Sequence, residues 1–187
     1  MIGTLTAPGL DEVAGTWTVD ESHSNAAFAV KYMMVSTVRG RFDDVSGTVT
    51  LADPLEDSAI DVTLDVASIS THDERRDGHL RSPDFFDVEN HPEMTFRSTR
   101  IERTGDDTGT VTGDLTIRGT ARPVVLDVRF EDWTPKDLWG KSRVGFTATA
   151  SISRKDWDLN WNQVLETGGV LVGDRIDIQL DVQLIKE

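Results

Sequence analysis

Four histidines, His23, His72, His79 and His91, are the residues best suited to chemistry in this chain. His72 and His79 stand two helical turns apart, among Asp73, Asp77 and Asp84. Imidazoles beside carboxylates are the donor set of zinc or a harder cation, but the i, i+4 histidine pair of a helical zinc site is missing. The plainer reading is a solvated capping helix whose histidines bond to neighbouring carboxylates, and no metal is assigned. Nucleophile patterns fail as well. There is no Gly-x-Ser-x-Gly elbow, and Gly168-Gly169 precedes a strand pattern with no Lys-Ser/Thr after it. Zero cysteines remove thiolate nucleophiles, disulfides and zinc fingers together. With 33 Asp and Glu, some pair of carboxylates is always close, so such a pair carries no signal. No catalytic residue and no cofactor are expected.

The elements that would position any site are mostly strands. Ile60, Val62, Leu64 and Val66 alternate with polar residues, as do Val124, Leu126, Val128 and Phe130. Val144 to Ile152 and Ile176 to Leu184 repeat the pattern. A 3.6-residue period would scatter these apolar groups around a helix, so they mark strands with one dry and one wet face. The pattern predicts strands over about 15–20, 24–34, 38–51, 58–69, 93–103, 109–118, 122–132, 142–153 and 174–186. Long strands with one apolar face must close into a barrel or pair with a second sheet, and periodicity does not choose between them. One segment departs from the alternation. Thr71 with Glu74 reads as a capping box opening a short helix through about Arg81, stopped by Ser82-Pro83-Asp84 and followed by Phe85-Phe86.

The 187 residues carry 19 Lys and Arg, giving a net charge of −14. That field repels phosphate backbones, so nucleic acid is excluded as a partner, and it opposes docking on anionic lipid. No apolar run approaches a membrane span, so no integral membrane protein is expected. Residues 1–14 read as a loose lead-in without signal-peptide character, ahead of one domain over 15–187, and the expected location is the cytoplasm.

Trp17-Thr18-Val19-Asp20, then His23-Ser24, Phe28, Val30-Lys31 and Ser36 to Phe42, resemble the opening of the YceI-like polyisoprenoid-binding family. The resemblance continues through His72, Arg75-Arg76-Asp77, His79-Leu80-Arg81-Ser82 and Asp84-Phe85-Phe86. It returns in His91-Pro92, Thr95-Phe96, Gly113 to Gly119, Pro123-Val124, Gly145-Phe146 and the Trp157 segment, covering roughly residues 15 to 186. Tyr32 departs from it, because the family commonly has His there, and a phenol does not titrate near neutral pH.

The resemblance implies a lipocalin-like antiparallel barrel of about eight strands, capped at one end by the short helix, with a long apolar ligand in its lumen. The implied lining is Phe28, Val30, Val62, Leu64, Phe96, Leu115, Ile117, Leu126, Phe146 and Ile178. Met33, Leu80, Phe85, Phe86 and Trp161 join it as adaptable or capping groups. Tyr32, Arg76, His79 and Arg81 are expected at the head-group end. The function so implied is non-enzymatic binding, storage or transport of a polyisoprenoid, quinone-type or fatty lipid. An enzyme acting on such an amphiphile, or a ligand-free interaction module, is the alternative, and a homodimer stays open.

Overall fold

The computed structural model describes residues 9–186. Residues 1–8 of the expected lead-in lie outside the described residues. The rest of it is ordered: Leu10–Val13 form a helical turn, α1, whose Val13 is buried. The Val13 carbonyl accepts the indole N–H of the fully buried Trp17 at 2.8 Å, docking the turn on the sheet.

Eleven strands follow. They are β1 (Gly15–Val19), β2 (Asn25–Tyr32), β3 (Ser36–Phe42), β4 (Val45–Leu51), β5 (Ala59–Asp65) and β6 (Ile69–Ser70). Next come β7 (Glu93–Arg103), β8 (Thr108–Ile117), β9 (Thr120–Thr134), β10 (Arg143–Ser153) and β11 (Val172–Lys186), with helix α2 (Glu74–Arg81) between β6 and β7. Neighbours run β1-β4-β5-β7-β8-β9-β10-β11, and β11 also pairs with β1, which closes the ring. β2 continues β1 along β11, while β3 and β6 continue β4 and β5. The molecule is thus an eight-stave antiparallel barrel in which the first three staves are broken. Closure pairs every stave on both sides, which removes the exposed edges of an open sheet.

The breaks have a local cause. Asp20 accepts from Ser22 N–H and starts a 3-10 turn, and Asp65 does the same through Ala67 N–H. Asp43-Asp44 bends the middle stave, where Asp44 N–H reaches Ser68 Oγ at 3.0 Å. A short side-chain acceptor that captures its own backbone competes with the ladder. The expected continuous strands over 38–51 and 58–69 are therefore each two strands. The helix start also needs correction. Its N-cap is Asp73, which accepts from Arg76 N–H at 3.0 Å, because Thr71 is buried and committed to Asp77.

Bulges decide which side chains turn inward. The register slips between Ser98 and Arg100, so Arg100 points outward and Ile101, 7% exposed, joins the core. A second slip, where Gly145 meets Asp132 and Phe146 meets Phe130, brings both Trp133 and Phe130 against the core. An extra residue reverses the alternation beyond it.

Candidate functional site

The barrel encloses a cavity of about 340 Å³. Its wall is built by one face of each stave: Phe28 and Phe42, Val45 and Val49, Val62 and Leu64, Met94 and Phe96, Val111 and Leu115, Leu126 and Phe130, Phe146, Ile178 and Leu180. Cross-strand register explains why these meet: Val62 faces Phe96, which faces Leu115, and Phe146 lies between Phe130 and Val182. The alternating Asp61, Asp65, Asp127 and Asp181 face solvent and carry much of the negative charge. Among the described residues no buried side-chain polar atom lacks a hydrogen-bond partner, so the wall offers a ligand apolar contact and little else.

The two ends of the cavity differ. At one end lie α2, the Arg118-Gly119 turn, the β2–β3 hairpin and the β10–β11 connection. This end is sealed by rings: Phe28 packs on Phe42 with centroids 5.8 Å apart, and Phe86 stands edge-on behind Phe42 at 5.9 Å. The Phe28 ring can lie there because residue 40 is glycine; a Cβ would sit 2.5 Å from its Cζ. At the other end lie α1 and the β4–β5, β7–β8 and β9–β10 connections. Here the lining turns polar with Glu102, Arg103, Asp106, Asp107 and Thr108. Arg103 donates to the Gly105 and Asp106 carbonyls, Glu102 pairs with Arg100 and Asp107 with Arg129, so carboxylates and guanidinium groups alternate around this mouth.

Of the expected lining residues, Phe28, Val62, Leu64, Phe96, Leu115, Leu126, Phe146 and Ile178 lie on the cavity wall. Ile117 is buried on the same face beyond the cavity, and Val30 is half-buried one row past Phe28. Leu80 and Phe86 pack against the core from outside the cavity, behind Phe42 in the case of Phe86. Met33 does not line the cavity: the hairpin turns at residues 33–35 and carries its side chain into solvent, 42% exposed. Phe85 and Trp161 enclose His79, with centroids 5.1 and 4.6 Å from its ring. Wall residues left out of the expected set, such as Phe130, Leu180 and Val182, belong to the same alternating runs. Ile101 and Trp133 had no such signal, because bulges place them.

The residues expected at the head-group end are gathered at the sealed end, away from the polar mouth. Thr71 N–H and Oγ–H both donate to Asp77 Oδ1, at 2.9 and 2.5 Å. Arg76 donates to Thr71 Oγ1 at 2.8 Å and to its carbonyl at 2.9 Å. Arg81 donates to the Ala67 and Ile69 carbonyls, and Arg118 to that of Phe85. His79 Nε2 and Asp84 Oδ2 pair at 2.8 Å. Tyr32 stands apart on the hairpin, 39% exposed. These contacts bind the helical segment to the barrel rim, and buried Asp77 is their hub. Among the described residues no group of three or more His, Cys, Asp or Glu is placed to hold a metal.

Two further clamps were not legible as such. Buried Arg154 donates to the carbonyls of Gly173, Leu159, Trp161 and Val172, fastening the β10–β11 connection, and burial pulls its guanidinium below the ordinary arginine range. At the open end Arg143 bridges Asp20 and Asp137. Burial pushes the Asp20 carboxyl up, but hydrogen bonds from Ser22, Arg143 and His23 outweigh it and hold it at about 2. The same Arg143 bond, with Lys141 and Trp139 N–H, holds Asp137 below the usual carboxylate range.

A YceI-like domain matches residues 17–184. The chain is 34% identical over 168 residues to a UPF0312 protein of Staphylococcus epidermidis, covering 88% of this chain and 94% of that one. It is 37% identical over 155 residues to a UPF0312 protein of Ectopseudomonas mendocina, covering 81% and 80%. Among solved structures, Burkholderia cenocepacia BcnA superposes with a TM-score of 0.76 at 25% identity, covering 88% of this chain and 98% of that one. Campylobacter jejuni YCEI protein superposes with a TM-score of 0.70 at 30% identity, covering 84% and 90%. A polyisoprenoid binding domain from Saccharophagus degradans shares the fold alone, with a TM-score of 0.71 at 15% identity over 91% and 98% of the two chains. A closed barrel with this capping helix, matched by a family model over nearly its whole length, makes the chain a member of the YceI-like family.

Proposed function

We propose that this protein binds a slender, long-chain apolar lipid, polyisoprenoid or quinone-tailed, in the barrel lumen and stores or carries it without chemical change. The cavity carries the reading: about 340 Å³ walled by aliphatic and aromatic side chains. That volume falls at the lower end of the range of about 300–1,000 Å³ typical of ligand pockets. Burial is worth about 0.8 kcal/mol per carbon, so one isoprene unit offers roughly 4 kcal/mol. Micromolar affinity needs about 8 kcal/mol net, which takes three or more buried units once ordering costs are met. The head group then sits at the polar mouth beside Glu102, Arg103, Asp106 and Asp107. The membership of a YceI-like family, and the occurrence of this fold as a polyisoprenoid binding domain elsewhere, support the same class of ligand.

Native mass spectrometry of freshly purified protein, followed by exchange against tail-matched alcohols, quinones and phosphates, tests this. A co-purified lipid of defined mass is expected. Protein that is always empty and takes up none of the three lipids overturns the reading.

A further inference from the structure

Among the described residues, the sealed end carries the larger of two exposed apolar groups; the other, Leu138 and Trp139, stands on the β9–β10 connection at the open end. Met34 is 66% exposed, Val35 84% and Val164 83%, with Tyr32, Met33 and Val170 beside them. The β2–β3 hairpin and the β10–β11 connection are joined here: Met33 N–H donates to the Leu171 carbonyl at 2.8 Å, and Val164 pairs with Val170. A Cβ on Gly169 would collide with Met34 Sδ.

Three observations point to one occupant. First, Met33 and Met34 hold φ of 51° and 63°, where a hairpin ordinarily places Asn, Asp or Gly. Local folding alone would not choose two long apolar side chains at these positions. Second, exposures this high belong to protruding side chains, which suit a deformable medium better than a flat protein face. Third, the charge inverts: residues 25–42 contain Lys31 and Arg39, besides an Arg41 already paired with Asp43 at 2.7 Å, and no acid, in a chain of net charge −14. We infer that this end docks on a phospholipid bilayer, its hairpin tip inserted among the head groups and Lys31 and Arg39 against anionic lipid.

Register adds a link to the cavity. Phe28 and Ile178 line it, and the next row on that face is Ile152, Ile176, Val30 and Val38, all half-buried, leading to the tip. An apolar track thus joins the docked end to the lumen wall. Docking itself does not depend on what the lumen carries, so it is tested separately from the proposed ligand.

The test is sedimentation of the intact protein with phosphatidylcholine vesicles, with and without about 30% phosphatidylglycerol. Binding is expected to be stronger with the anionic lipid and to weaken at least tenfold in the double variant Met34→Asp, Val35→Asp. Aspartate tolerates left-handed backbone, so this variant is expected to keep its melting curve. Val125→Asp, changing an outward residue of the barrel wall that is 54% exposed, should leave binding intact. Arg39→Glu should weaken binding to the anionic vesicles only. Equal sedimentation of wild type and the double variant, or none by wild type, overturns the inference. So does a dimer on size-exclusion chromatography that the double variant splits while vesicles bind neither protein.

Discussion

The two ends of this barrel are built on opposite principles. The sealed end is dense with directed hydrogen bonds: Thr71 to Asp77, Arg76 to Thr71, Arg81 to the Ala67 and Ile69 carbonyls and Arg154 to four more. The open end has loops whose carboxylates pair with nearby guanidinium groups: Arg143 between Asp20 and Asp137, Arg100 with Glu102, and Arg129 with Asp107. The block of polar residues that looks most chemical, from Asp77 to Asp84, is therefore fastening, and the end that faces the cavity mouth has no conspicuous motif. A helix lying across a barrel end must bury polar backbone, and each buried group needs a fixed partner. A cavity for a hydrocarbon needs only apolar shape, which many residues supply equally well.

Removing the hub of the sealed end should have the largest effect. Asp77→Ala leaves the Thr71 N–H and O–H without an acceptor in a buried site, costing about 2–4 kcal/mol. Denaturant melts measure the loss, and the contrast between the ends breaks if the cost matches that of an exposed carboxylate such as Asp127. A mid-barrel change should rank second. Leu64→Trp fills the lumen between the two ends, at about 1–3 kcal/mol from overpacking, and should shift the retained lipid to shorter chains. Mass spectrometry of the bound lipid reads this, with Asp65→Asn on the wet face as the unaffected companion.

The smallest effect concerns the open end and pH. Asp20 titrates at about 2 in the folded chain, below its ordinary value of 3.8. A depressed carboxylate contributes stability above its unfolded value and loses it as pH falls through the folded one. Melting temperature should therefore decline between about pH 4 and pH 2, and Asp20→Asn should flatten part of that slope while lowering stability at pH 7. An unchanged slope would mean that the Arg143 bridge contributes nothing there.

Period-two alternation from Ile60 to Leu184 determined that this is an antiparallel barrel or sandwich with a dry face, and the block around His79 identified the family. Alternation is local, since successive side chains on a strand must point to opposite faces, so it can be read without a structure. Three things needed the tertiary fold. Ile101 and Trp133 turn inward only because bulges slip the register, and a bulge depends on the partner strand. Asp73 rather than Thr71 caps the helix because Thr71 is pulled onto Asp77 by burial. The head-group residues expected at Arg76, His79 and Arg81 lie at the sealed end because barrel closure, set by β11 meeting both β1 and β2, decides which loops share an end. Residue type and spacing report what a side chain is able to do; only long-range pairing reports what stands opposite it.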